Sequence, residues 1–262
     1  MQQYQQMHTA KSYLNFLLKS KNQHGVHSPF VYDLITKCFY DSKKYSEYEI
    51  LKNYRNSLLK NKLILEITDF GIGSKTFKSL SRSVSDITKT SGTKFKHAKL
   101  LFRLALYFQP INVLELGTSV GIGTTALALG NENSNITSIE GCSKIADFII
   151  QQLKKQTIDN VTIINDNFKP ALLNMATMHW DFVFFDGHHD ELATIKYFEQ
   201  LLPKAHNNSI FIFDDIYWSE GMTKAWNHIK SHPKVTVSID TFQYGIVFFR
   251  KEQTKEDFVI RL

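Results

Sequence analysis

Val113-Leu114-Glu115-Leu116-Gly117-Thr118-Ser119-Val120-Gly121-Ile122-Gly123 is the stretch that decides the fold. A short apolar run from Asn112 to Leu116 stops at a glycine and gives way to residues that open a helix. Such a run, buried on both faces, predicts a strand of a parallel sheet. Glycines at 117, 121 and 123 permit a tight turn and a close approach of backbone to a ligand, with helix-end N–H groups nearby. The spacing is not the G-x-G-x-x-G of the dinucleotide fingerprint, which argues against a nicotinamide cofactor.

Working outward, the same rhythm continues to the end of the chain. Short apolar runs at 112–116, 136–140, 161–164, 182–186 and 209–214 alternate with segments at about 124–130, 143–156, 169–177 and 190–202 that read as helices. Strand–helix alternation predicts a parallel sheet covered on both faces. Two last strands, 235–240 and 244–249, are joined by a connection too short for a crossover, so they pair antiparallel. The expectation is an α/β fold: a doubly wound, mostly parallel seven-stranded sheet with an antiparallel C-terminal hairpin. Upstream, residues 4–20 read as an amphipathic helix, through Tyr4, Tyr13, Leu14, Leu17 and Leu18. Ser28 and Pro29 open a second helix running to about Tyr40. A third spans about 45–60, 63–67 is a short strand, Asp69 to Ser74 is a turn-rich loop, and 93–108 is a helix. The division expected is a basic, mostly helical segment at 1–92 and a catalytic domain at 93–262. The segment would act as a lid or substrate-binding element.

The apolar-Glu-x-Gly-x-x-x-Gly pattern of 114–121 resembles the first motif of the Rossmann-like S-adenosylmethionine-dependent methyltransferases. The parallel sheet ending in an antiparallel hairpin is the layout of that family. The resemblance implies cofactor contacts from Glu115, Gly117, Thr118, Ser119 and Gly121. It implies that Glu140, with Gly141 after it, takes the ribose hydroxyls at the end of the second strand. Asp166, with its neighbour Asn167, would reach the adenine amino group after the third strand, and Asp186 at the end of the fourth joins the set.

The fourth strand ends in Asp186-Gly187-His188-His189 and the fifth in Asp214-Asp215-Ile216-Tyr217-Trp218. In an open parallel sheet ligands bind beyond the carboxyl ends of the strands. Three carboxylates gathered there repel one another unless a cation lies between them, and oxygen-only ligands suit Mg²⁺ or Ca²⁺. Asp186, Asp214 and Asp215 are therefore the candidate metal ligands. The arrangement resembles the metal-dependent O-methyltransferases of the catechol and macrolide-sugar types over roughly residues 110–250. It departs from the catechol type at His189, where that type has a lysine, and at Gly123, where it has a serine. Methyl transfer to a hydroxyl needs the proton removed, and His188 or His189, beside Asp186, is the candidate base. An Asn/Asp-Pro-Pro-Tyr motif, the mark of amino-directed nucleic-acid enzymes, is not present at this position.

The chain has 262 residues, of which 43% are hydrophobic, enough for a sizeable core. Its net charge is +6, but residues 1–99 hold 17 Lys and Arg against 7 Asp and Glu. That asymmetry marks either a solvated basic face or a surface for an acidic partner such as RNA. Cys38 and Cys142 fit no metal-ligand spacing, and free thiols suit a reducing cytoplasm. The polar N-terminus is no secretory signal, and no apolar run is long enough for a membrane helix. The expected activity is methyl transfer to a small-molecule hydroxyl with divalent-metal assistance, in the cytoplasm, with the oligomeric state open and a homodimer compatible with the sequence. An RNA or protein methyltransferase and a non-catalytic cofactor-binding module stay open as alternatives.

Overall fold

A computed structural model of the chain describes residues 2–68 and 81–262. The turn-rich loop expected at 69–74 lies outside the described residues. The chain opens with α1 (Gln2–Lys19) and α2 (Pro29–Leu34), which runs on through one π-helical turn, Ile35–Phe39. There follow α3 (Glu47–Lys60), β1 (Ile64–Glu66), β2 (Ser81–Ser83), α4 (Val84–Thr90) and α5 (Phe95–Phe108). The alternating part is β3 (Asn112–Leu116), α6 (Ile122–Gly130), β4 (Asn135–Glu140), α7 (Ser143–Lys155), β5 (Val161–Asn165), α8 (Phe168–Asn174), β6 (Phe182–Phe185), α9 (Glu191–Leu201) and β7 (Ile210–Asp214). The chain closes with α10 (Glu220–Ser231), β8 (Val237–Asp240), β9 (Tyr244–Phe248) and β10 (Glu256–Val259). Among the described residues no helix is long and apolar enough to cross a membrane.

These elements form two compact units, Thr36–Asn174 and the combination of Met1–Ile35 with Met175–Leu262. Residues 1–92, expected as one segment, are thus shared between the two. In Thr36–Asn174, β3 pairs parallel with β4 and β4 with β5. Helix α5 buries Leu100, Leu101, Leu104 and Ala105 along one face, the 3–4 spacing of an amphipathic helix. A Cβ at Gly130 would lie 2.5 Å from the Phe102 carbonyl oxygen and 2.7 Å from Ala105 Cβ. Only glycine lets α6 end that close to α5. β1 and β2 form a separate antiparallel pair.

In the other unit the strand order is β10-β8-β9-β7-β6. β6 pairs parallel with β7, and β9 runs antiparallel between β7 and β8. The expected hairpin therefore exists, and its second strand also completes the neighbouring edge. An eighth strand, β10, joins the seven expected and pairs parallel with β8. Strands β6 and β9 are buried from end to end, as a sheet covered on both faces requires. Gly245 of β9 lets the Trp226 ring of α10 lie flat on the strand: a Cβ there would be 2.6 Å from two ring carbons. The Ser28 hydroxyl caps α2 by accepting from the Val31 N–H, with Pro29 in the first turn, as the sequence predicts.

Candidate active site

Two constellations stand at the carboxyl ends of strands, each within one compact unit. In Thr36–Asn174, β3 runs out into a loop of unusual backbone. Gly117 has φ 100°, Ser119 φ 48° and Gly121 φ 74°. Gly121 is also short of space, since a Cβ there would lie 2.9 Å from Ile149 Cδ1. The Tyr54 hydroxyl of α3 braces the loop by donating to the Val120 carbonyl at 2.8 Å. The turn is a preformed cradle of the kind a ligand backbone approach needs.

Glu140, the last residue of β4, faces this cradle. Its carboxylate accepts from the Ser119 N–H at 3.1 Å and from the Cys142 N–H at 2.9 Å. Burial pushes its carboxyl above the ordinary range, and the amide hydrogen bonds work in the other direction. The turn that follows, with Gly141 in it, is held by Asn165, whose side-chain amide donates to the carbonyls of Glu140 at 2.8 Å and Gly141 at 3.1 Å. Asn165 was not among the residues expected; as the last residue of β5 it carries no motif. Asp166 accepts from the Asn167 N–H at 2.7 Å, and Asn167 is exposed.

Glu115 and Thr118 face inward. The Glu115 side chain accepts from the hydroxyls of Thr124 at 2.6 Å and Ser138 at 2.5 Å, and Thr118 Oγ1 lies 2.6 Å from Ser138 Oγ. Glu115 is fully buried, so it braces β3, β4 and α6 from beneath the loop. Burial pushes its carboxyl up from about 4.5 to about 7, against the two hydroxyl hydrogen bonds. A carboxyl raised on folding contributes its stability fully below its unfolded value, and that contribution is lost as pH rises through 7. Glu115→Gln mimics the protonated form. Its stability relative to wild type is expected to improve from pH 5 to pH 8, by at most about 3 kcal/mol. Thermal melts at the two pH values check this; an equal difference at both would remove the buried charge from the account.

The second constellation lies in the unit holding β6 and β7. After β6 the chain turns through Asp186-Gly187-His188-His189, with His188 at φ 64° and His189 at φ 41°. These left-handed, non-glycine residues store backbone strain. The turn ends where the Asp190 carboxylate caps α9 by accepting from the Ala193 N–H at 3.0 Å. It swings His189 back, so that Nε2 lies 3.8 Å from Asp186 Oδ1. Burial lowers the His189 pKa, the charge of Asp215 opposes the shift, and His188 adds to it. The His188 ring packs against Tyr197 with centroids 5.7 Å apart.

At the end of β7, Asp215 has φ 55°. Gln243, in the turn between β8 and β9, donates through Nε2 to Asp214 Oδ1 and Asp215 Oδ1, each at 2.6 Å. Burial first, then the charge of Asp215, pushes Asp214 up to about 7. The side chains of Asp186 and Gln243 favour the charged form of Asp214. The structure brings Asp186, Asp214, Asp215 and His189 to one place. The expected cation is another matter. Among the described residues no three His, Cys, Asp or Glu side chains are placed to hold a metal ion. The space between the two Oδ1 atoms is taken by the Gln243 amide. As arranged, the three aspartates do not fit the divalent ion that the sequence suggested. Gln243, like Asn165, is a site residue that the sequence does not mark.

Residues 114–216 match the family model described as "Methyltransferase domain". No curated protein sequence matches the chain. Among solved structures, a methyltransferase from Podospora anserina bound to S-adenosylhomocysteine is similar at 14% identity, with a TM-score of 0.58, covering 86% of this chain and 97% of that one. An O-methyltransferase from Bacillus cereus in complex with S-adenosylhomocysteine is 18% identical, with a TM-score of 0.53, over 80% and 94%. An O-methyltransferase of tomaymycin synthesis from Streptomyces achromogenes, in complex with S-adenosylmethionine, is 14% identical, with a TM-score of 0.55, over 79% and 91%. Residues 114–216 thus match a methyltransferase-domain model, and the chain shares the fold of these solved methyltransferases.

Proposed function

We propose that this protein transfers a methyl group from S-adenosylmethionine to a hydroxyl of a small molecule, with His189 as the base. The observation that carries the reading is the Asp186–His189 pair at the end of β6, Nε2 to Oδ1 3.8 Å. Burial keeps that imidazole neutral at pH 7, the form that accepts a proton. S-adenosylmethionine, when bound, supplies a sulfonium methyl for in-line displacement by the acceptor oxygen. Glu140 binds the ribose hydroxyls, and the strained loop at 117–121 admits the rest of the cofactor against its backbone. Asp166 and Asn167 contact the adenine. Glu115 and Thr118 hold the loop in place from below. His189 takes the hydroxyl proton, and Asp186 orients the imidazole and stabilises its charged form. No metal step enters, because the carboxylates do not fit the ion.

Two measurements test this. Calorimetry with S-adenosylhomocysteine should show binding, and Glu140→Ala should weaken it by about 1.5–3 kcal/mol, the scale of a hydrogen bond to a charged group. Unchanged affinity would remove the ribose assignment. A labelled-methyl screen should then find turnover with hydroxylated small molecules. Label appearing only in RNA or protein fractions would replace the acceptor class.

A further inference from the structure

We infer that Gln243 occupies the place of a cation in the Asp186–Asp214–Asp215 cluster, so that the cluster needs no resident divalent ion and Gln243 is its positioning residue. The inference rests on the proposed methyl transfer for its catalytic half and on geometry alone for its metal half.

A primary amide carries two N–H hydrogens. Those of Gln243 go one to each carboxylate, both at 2.6 Å from Nε2. These are short, charge-assisted hydrogen bonds, stronger than neutral ones. A Mg²⁺ ion would have to lie about 2.0–2.1 Å from the same Oδ1 atoms. A donor hydrogen and a cation cannot share that space. The amide links the two oxygens as a bridging ion would, and offsets part of their repulsion through its positive end.

Gln243 is not a loose surface side chain free to swing out. Tyr244 donates its N–H to Thr241 Oγ1 at 3.1 Å, and the Thr241 N–H donates to the Tyr244 carbonyl at 2.9 Å, closing the turn on either side. The preceding residue, Phe242, has φ 71° and donates its N–H to Asp240 Oδ1 at 2.8 Å. Its ring is stacked on Tyr217, with centroids 5.2 Å apart, and meets the edge of Tyr13 of α1 at 4.9 Å. Tyr217 in turn donates its hydroxyl to Asp240 at 2.5 Å. The turn is therefore fixed before any substrate arrives, and it delivers the amide to the aspartates at a set position.

The test uses the full chain and two readouts. Manganese(II) titration followed by electron paramagnetic resonance should show no saturable site in the wild type at up to about 1 mM ion, the weak end of the range for carboxylate cation sites. Gln243→Glu removes both donors and adds a carboxylate, and it should gain a saturable site. Stoichiometric manganese binding by the wild type overturns the inference, as does a wild-type rate abolished by chelator and restored by Mg²⁺. For the positioning role, Gln243→Met keeps the volume and deletes the donors. It should lower kcat about 10- to 100-fold with S-adenosylhomocysteine affinity unchanged. A Met variant of full activity would show that Gln243 only fills space, and overturn that half. Absence of methyl transfer in the wild type with every acceptor would sink the function reading alone, and the manganese titration would still decide the metal half.

Discussion

Methyl transfer by a His189→Asn variant is expected to run about 10²–10⁴-fold slower than wild type, the range for loss of a general base. His188→Asn should cost far less, because the His188 ring packs on Tyr197 while His189 lies beside Asp186. The pH profile carries the sharper signature. The His189 pKa is lowered from its ordinary value near 6.5. The neutral, proton-accepting form therefore persists below pH 6.5, and the rate is lost only as pH falls further, through the lowered value. The acid limb of kcat should lie below 6.5 in the wild type and vanish in His189→Asn. An acid limb retained in that variant would assign the proton transfer to another group.

The second large effect concerns stability. Trp226→Ala should lower the free energy of unfolding by about 3–5 kcal/mol, the cost of emptying the space of a large buried aromatic. The ring is 1% exposed and lies on the one glycine of β9. Gly245→Ala should cost about 1–3 kcal/mol for the opposite reason, since the added methyl would sit 2.6 Å from ring carbons. Urea unfolding checks both. In the double variant the costs should not add, because the alanine at 226 leaves room for the methyl at 245. Strict additivity would show that the two residues do not share the space.

The sequence made the alternating half of this fold legible because its strands are short runs rich in Val, Ile, Leu and Phe, with glycine or acidic residues at or just past their ends. Asn112–Leu116 was read at its observed bounds for that reason. Helix α10 went unread although Met222, Ala225, Trp226 and Ile229 repeat at 3–4 spacing and Ser219 caps it. Its polar residues outnumber that stripe, so the apolar period is weak. β10 was illegible for a physical reason: of Glu256–Val259 only Phe258 is buried, and the pairing with β8 comes from tertiary context. Helix α4 is too short to show a period. In the candidate site, acidic residues at strand ends could be read because strand ends are where ligands bind. Their partners could not. Nothing in a lone glutamine at 243 says that its amide reaches Asp214 and Asp215. Glu115 illustrates the same limit: the motif marks the position, and only packing shows that its carboxylate turns to Thr124 and Ser138.

The left-handed backbones at His188, His189, Asp215 and Phe242 have a consequence for anyone who would engineer this protein. Each holds a side chain where only glycine is at ease, at roughly 1 kcal/mol or more apiece. Glycine at His189 or Asp215 would relax the main chain and trade thermal endurance against turnover, whereas at Phe242 it would also delete the ring packed on Tyr217 and Tyr13. Screens that select for heat resistance will thus be drawn to His189 and Asp215, where a gain in robustness removes the chemistry.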